Sequence, residues 1–311
     1  MKVLAILNPR AGVAAERAKE AVRRGRPSWK ELEVAVTTGP GDASTLARQA
    51  AQAGVELVLS VGGDGTANEA AQGILGSPTA LGIVPVGSGN GLARCLRIPL
   101  DPARALAALE DGVTRPIDVG MANGRPFLNV GGAGFDAVVG HDFHAAGRGG
   151  GRRGILSYVL LSLLRFVRYR TEALRLEVDG VGHDLRPFLV CLANGPQYGA
   201  GAWIARGARL DDGLIDIVVI DDAPRPVLLA TIPRLFSGTL HRSKLHHRLT
   251  AARATLTGIV PFAFHRDGEP EGPATRLEVG LLPRALRVVV PRATASDPLG
   301  PFEPPGVGSR T

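Results

Sequence analysis

Between residues 61 and 69 the chain reads VGGDGTANE, a glycine-rich turn with one acidic side chain, Asp64, in its middle. Gly62, Gly63 and Gly65 allow the backbone to turn sharply and aim amide N–H groups at an incoming phosphate. A helix starting there adds the positive end of its dipole. A carboxylate repels phosphate unless it holds a Mg²⁺ whose charge reverses the local electrostatics, or accepts a hydrogen bond from an attacking hydroxyl. Either role belongs to phosphoryl transfer. Lysine does not supply the charge, because the Gly-Lys-Ser/Thr of a Walker A loop is missing. Thr66 and Glu69 have the spacing of a capping box, with Thr66 as N-cap and Glu69 at N3, which accounts for Glu69 and leaves Asp64 unexplained. Three other stretches carry similar residues: PVGSGNGLAR from Pro85 to Arg94, DDG at 211–213, and DGEP at 267–270. Taken singly, each reads equally well as a plain polar turn.

Such residues need elements to hold them. In the first 120 residues the apolar runs KVLAIL, ELEVAVT, ELVLSVGG and ALGIVPVG alternate with alanine-rich stretches such as DASTLARQAAQAG. Runs apolar on both faces, separated by crossover helices, predict a parallel sheet covered on both sides, an α/β domain of the doubly wound type. Ligands bind such sheets beyond the carboxyl ends of the strands, where NPRAG, TTGPGD, GGDGT and PVGSGNG all fall. From about residue 116 the texture changes to strand pairs with turn signals at 123–124, 179–180, 211–213 and 266–270, which predicts an antiparallel β domain. Two helix-like segments, RRGILSYVLLSLLRFVRYR and PRPVLLATIPRLFSG, interrupt it. The expected division is 1–118, 119–291 and a Pro/Gly-rich tail, 292–311, that returns to the first domain or stays disordered.

A chain of 311 residues, 45% apolar, suffices for two such cores. The net charge of +7 is uneven, with 13 basic against 12 acidic residues up to 120 and 23 against 17 beyond. This favours an anionic partner in the second part. Aromatics make up only 5%, which argues against a stacking surface for nucleic acid, so none is expected as partner. Cys95 and Cys191 lack companions at metal-ligand spacing, as in a reduced cytosolic protein. The N-terminal apolar run is too short for a signal sequence. The longest apolar stretch, Ile155 to Leu164, is half the roughly 20 residues that cross a bilayer.

In the order and spacing of NPRAG, GGDGTANE, PVGSGNGLAR, FLNVGGAGFDA, RRGILSYVL, ARLDDGLID and DGEP, residues 2 to about 290 resemble the diacylglycerol kinase catalytic domain family. The resemblance is especially to its soluble bacterial lipid kinases, with sphingosine kinases as relatives; GGDGT alone also looks like the NAD kinases. The resemblance implies a Rossmann-like domain and a β-sandwich that bind ATP and Mg²⁺ between them and phosphorylate a lipid hydroxyl. It assigns Asn8, Pro9, Arg10, Ala11, Gly12, Thr37, Gly62, Gly63, Asp64, Gly65, Thr66, Asn68 and Ser88 to the nucleotide site, Ser88 standing where the family more often has threonine. It makes Glu269, beside Asp267, the proton acceptor, although sphingosine kinases give that role to the aspartate matching Asp64. It also implies a structural metal on Asp212 and the backbone carbonyls of Arg209 and Leu214. Arg266 departs from the apolar or small residue usual at its position.

Residues 141–170 carry six arginines and one aspartate around an apolar run, the pattern of an interfacial anchor. Arg148, Arg152 and Arg153 sit in its glycine-rich loop. A helix packed into the second domain accounts for the apolar run equally well. The expectation is a cytoplasmic, peripherally membrane-associated kinase with a lipid alcohol as substrate and an anionic membrane surface as partner; a homodimer is compatible. The alternatives are an NAD kinase-like phosphotransferase and a nucleotide-binding regulator without turnover.

Overall fold

A computed structural model of the chain describes residues 1–9, 13–24, 29–148 and 155–303. The first part alternates as its apolar runs dictate: β1 (Lys2–Leu7), α1 (Val13–Arg23), β2 (Glu31–Val36), α2 (Asp42–Gln52), β3 (Leu57–Gly62), α3 (Asp64–Ile74), β4 (Ala80–Pro85), α4 (Gly91–Cys95) and α5 (Pro102–Glu110). Strands β3 and β4 are buried along their whole length, as apolar strands covered by helices must be. The order β2-β1-β3-β4 is parallel throughout. From β1 the chain goes outward to β2 and returns to the other side of β1 with β3. A ligand crevice therefore opens between the carboxyl ends of β1 and β3.

The second part comprises β5 (Val113–Ala122), β6 (Arg125–Phe127), β7 (Val130–Gly134), α6 (Phe135–Arg148), α7 (Ile155–Arg168), β8 (Leu174–Val178), β9 (Val181–Leu185), β10 (Pro187–Ala193), β11 (Ile215–Asp221), α8 (Arg225–Leu229), α9 (Ile232–Ser237), β12 (His246–Ala251), β13 (Ala254–Phe262), β14 (Phe264–Arg266), β15 (Glu269–Pro270) and β16 (Ala274–Val290), followed by α10 (Arg292–Ser296). Three turn signals close hairpins, β5–β6 at Asn123-Gly124, β8–β9 at Asp179-Gly180 and β14–β15 at Asp267-Gly268. Both residues of each have positive φ, which Asn-Gly and Asp-Gly tolerate best. The DDG at 211–213 closes no hairpin; it lies in the long connection from β10 to β11.

β16 joins the two parts. It pairs parallel with β4 at Arg287 and Val288, and antiparallel with β5 and β13, so one ten-stranded sheet runs from β2 to β9. The second sheet, β12-β11-β10-β7-β14-β15, is antiparallel and packs over the β8–β13–β16 half of the first, forming a sandwich around Phe127, Leu176, Leu192, Ile217, Leu256 and Leu277. On its other face α7 and α8 press Phe166 and Leu228 against Phe188 and Val218. Each such side chain contributes about 1.5–3 kcal/mol by leaving water.

Part of the tail is packed. Phe302, 1% exposed, enters the core of the parallel sheet, with the Arg115 guanidinium 4.7 Å from its ring centroid. Leu210 N donates to Pro301 O at 2.8 Å. Residues 304–311 lie outside the described residues. Among the described residues no helix is long and apolar enough to cross a membrane.

Candidate active site

The crevice between β1 and β3 is laced together by short polar side chains. Asn8 N donates to Val61 O at 3.0 Å, and its Nδ2 donates to Thr66 Oγ1 at 3.0 Å. Thr37, at the end of β2, donates its N–H to Leu7 O at 2.9 Å. Pro9 follows Asn8 at the surface, while Arg10, Ala11 and Gly12 lie outside the described residues. The expected capping box does not form. Helix α3 begins three residues earlier, at Asp64, with extended Gly63 as N-cap. Thr66 is therefore inside the first turn, its hydroxyl turned to Asn8 and its side chain filling the space a Gly62 Cβ would need. Gly63 suits the cap because Gly87 Cα lies 3.3 Å from the place of its missing Cβ, so the two glycine turns touch backbone to backbone.

Asp64 thus stands at the positive end of α3. Its Oδ1 accepts from Leu92 N at 3.4 Å, at the start of α4. Burial raises its carboxyl above the ordinary range. The amide of Gly91 opposes the rise, the charge of Asp267 adds to it, and the amides of Leu92 and Asn90 oppose it further. Asn90, with φ of 51°, shapes this second turn: it accepts from Gly87 N at 3.1 Å and donates to Gly87 O at 2.7 Å, leaving Ser88 exposed at the tip.

From the other side comes the turn after β14. The Asp267 carboxylate accepts from the backbone N–H of Leu128, Asn129 and Val130 at 2.7, 2.8 and 3.0 Å, and from Asn68 Nδ2 at 2.5 Å. Four donors to one carboxylate make a rigid anchor. Asn68, assigned to the nucleotide by resemblance, ties α3 to this anchor and also receives Gln72. Glu269 follows on the exposed side, its Oε1 3.7 Å from where a Gly65 Cβ would sit. Asp64, Gly65 and Glu269 consequently meet at one turn of helix. Arg266 leaves this electrostatic setting alone, because its buried guanidinium is paired with Glu271 and donates to Pro126 O at 2.6 Å.

The DDG loop is organised by Asp118, a fully buried acid in β5 that accepts from Gly213 N at 2.7 Å and Arg284 N at 2.6 Å. Asp211 is paired with Arg115 at 2.9 Å and Asp216 with Arg248, whereas Asp212 accepts from Leu214 N at 3.1 Å. Burial pushes the Asp212 carboxyl up to about 6, and the charges of Asp216, Asp118 and Glu303 add to the rise. Among the described residues no cluster of three or more His, Cys, Asp or Glu could hold a metal. One desolvated carboxylate in a negative setting nonetheless has the donor chemistry that a hard cation takes. The Arg209 side chain is directed to the tail, donating to Phe302 O at 2.5 Å.

Sequence reasoning missed Asn90, Asp118, Asn129 and His265. Asn129 is buried and donates to Gln197 O at 3.0 Å. The available signal was a single polar residue inside an apolar strand, as in RPIDVGM and FLNVGG.

Residues 2–122 match the family described as Diacylglycerol kinase catalytic domain, and residues 129–290 match the YegS C-terminal NAD kinase beta sandwich-like domain. A Pseudomonas aeruginosa protein named "Probable lipid kinase YegS-like" is 33% identical over 297 residues, covering 93% of this chain and 94% of its own. The Diacylglycerol kinase of Bacillus subtilis is 29% identical over 298 residues, covering 93% and 96%. Among solved structures, a diacylglycerol kinase from Bacillus anthracis superposes with a TM-score of 0.70 at 22% identity, over 94% of this chain and 97% of that one. An NAD kinase from Archaeoglobus fulgidus, solved in complex with ATP, does so with a TM-score of 0.53 at 14% identity, over 94% of each. These two superpositions speak to fold alone.

Proposed function

Because this chain belongs to the diacylglycerol kinase catalytic domain family, we propose that it is an ATP-dependent lipid kinase, transferring the γ-phosphoryl group to the hydroxyl of diacylglycerol or a similar lipid alcohol. The observation behind this reading is the meeting of two acidic turns from opposite ends of the chain: Asp64 opens α3, and Glu269 stands over Gly65 in the same helical turn. The backbone amides of residues 62–65 and the hydroxyls of Thr66 and Ser88 bind the nucleotide phosphates, with Asn8, Pro9 and Thr37 beside them. Glu269, exposed on the crevice side, accepts the proton of the lipid hydroxyl. Asp267 holds it there. Mg²⁺, when bound with the nucleotide, would neutralise charge on the transferring group, and Asp64, the carboxylate at the head of α3, would be the side chain that holds the ion. Positioning and charge neutralisation supply most of the rate in such reactions, and a base adds about 10²- to 10⁴-fold.

Incubation of the purified protein with γ-labelled ATP and diacylglycerol in micelles tests this reading, with NAD as a second acceptor. Label on NAD favours the NAD kinase reading, and nucleotide binding with no labelled acceptor favours a regulator.

Docking to an anionic bilayer on the cytoplasmic side completes the proposal. Helices α7 and α8 pack their inner sides on one face of the second sheet. Leu163, Leu164 and Val167, the last 69% exposed, point outward from α7, and Val227, Ile232 and Phe236 are exposed along α8 and α9. Arg168 and Arg234 are exposed among them, which complements an anionic leaflet. Arg148 closes α6, and Arg152 and Arg153 lie outside the described residues.

A further inference from the structure

Behind the turn that carries Glu269 runs a buried hydrogen-bonded chain to which the chemistry above gives no part. His265, 5% exposed, accepts at Nδ1 from the backbone N–H of Gly268 at 3.3 Å. A neutral imidazole that accepts at Nδ1 carries its proton on Nε2. That nitrogen lies 3.2 Å from Asp136 Oδ2, to which it donates. The Tyr198 hydroxyl donates to the same oxygen at 2.8 Å, and burial keeps this phenol protonated by raising it well above its ordinary range. Asp136 Oδ1 accepts from Ala137 N at 2.8 Å. Space for the chain is made by Gly132 in β7, where a Cβ would come within 2.7 Å of Asp136 Oδ2 and 2.9 Å of His265 Nε2.

The turn is gripped from two sides. Asp267 and Gly268 both have positive φ, 48° and 82°. The Asp267 carboxylate fixes the first residue to segment 128–130, and His265 fixes the amide of the second, one residue before Glu269. We propose that His265 is a positioning residue for the phosphoryl transfer: held as the Nε2–H tautomer by Asp136 and Tyr198, it grips the Gly268 amide and so fixes where Glu269 stands over Gly65. The inference rests on the reading of Glu269 as proton acceptor.

Two variants that each keep half of the ring's hydrogen bonding test it. In His265→Asn the side-chain oxygen takes the place of Nδ1 and still accepts from Gly268. His265→Gln reaches toward Asp136 instead and leaves the Gly268 amide unheld. Because a misplacement of about 1 Å costs roughly 100-fold, the Gln variant should lose kcat by on the order of 10- to 100-fold with KM for ATP unchanged, and the Asn variant should stay within about threefold of the parent. Exchange protection of the Gly268 amide should be kept in Asn and lost in Gln, a readout that does not depend on what Glu269 does. Equal losses of kcat in both variants, following their melting temperatures, would reduce His265 to a packing residue. Full protection of Gly268 in the Gln variant would overturn the proposal. Glu269→Gln, assayed alongside, separates failure of the base assignment, seen as undiminished kcat, from failure of the positioning claim.

Discussion

Three carboxylates near one turn of helix have three different settings, and substitutions should distinguish them. Burial raises the Asp64 carboxyl above its ordinary range, so the folded protein binds that proton more tightly than the unfolded chain. Stability therefore falls as pH rises from about 4 through the folded value, and the charge remains unfavourable at pH 7. Asp64→Asn should melt no lower than the parent at pH 7 without Mg²⁺ or nucleotide, lose any advantage once the parent's carboxyl is protonated in acid, and turn over on the order of 10³-fold more slowly. A melting temperature well below the parent's at pH 7 would contradict the sign. Asp267 is held by its hydrogen bonds instead. Asp267→Ala leaves three backbone donors and Asn68 without their acceptor and should cost about 3 kcal/mol in thermal unfolding, whereas Glu269→Gln should keep its melting temperature and lose about 10²- to 10⁴-fold in kcat. The acids themselves were legible in GGDGT and DGEP. Their division of labour was not, because the donors that occupy Asp267 are main-chain amides at 128–130, and no local pattern announces them.

At the scale of elements, strands apolar on both faces announced the parallel sheet, and Asn-Gly and Asp-Gly announced three hairpins because positive φ restricts which residues can follow one another. Capping was misread: Thr-x-x-Glu is a local signal, but the contact between Gly63 and Gly87 starts α3 earlier. Composition also concealed the packed part of the tail. Proline and glycine dominate it, yet one ring, Phe302, fills the core beneath Arg115. Phe302→Ala should cost about 3–5 kcal/mol by denaturant unfolding; a cost near zero would mean that the ring leaves its pocket in solution. For the DDG loop, Mg²⁺ should raise the melting temperature of the nucleotide-free protein by mass action, and Asp212→Ala should remove most of that rise. An unchanged Mg²⁺ response in the variant would leave the loop as a turn held by Asp118.

For the whole molecule, β16 matters most. It belongs to the parallel sheet at its carboxyl end and to the sandwich at its start, so the glycine turns and the DGEP turn are held in one frame. Its apolar run could be read as a strand, but pairing with both parts could not, since register between distant segments leaves no periodic trace. The same architecture sets the outward residues of α7 and of α8–α9 on one side. Leu164→Glu combined with Phe236→Glu should weaken binding to anionic vesicles by on the order of 10-fold or more and leave turnover of a short-chain, water-soluble substrate unchanged; undiminished vesicle binding would move the docking surface elsewhere. The central claim, that the two acidic turns form a phosphoryl-transfer site for a lipid alcohol, is tested most directly by incubating the purified protein with γ-labelled ATP, Mg²⁺ and a total lipid extract and identifying the labelled product. The account predicts a phosphorylated lipid whose formation is lost in both Asp64→Asn and Glu269→Gln. Label on no lipid, or on a lipid to the same extent in the two variants as in the parent, would contradict it.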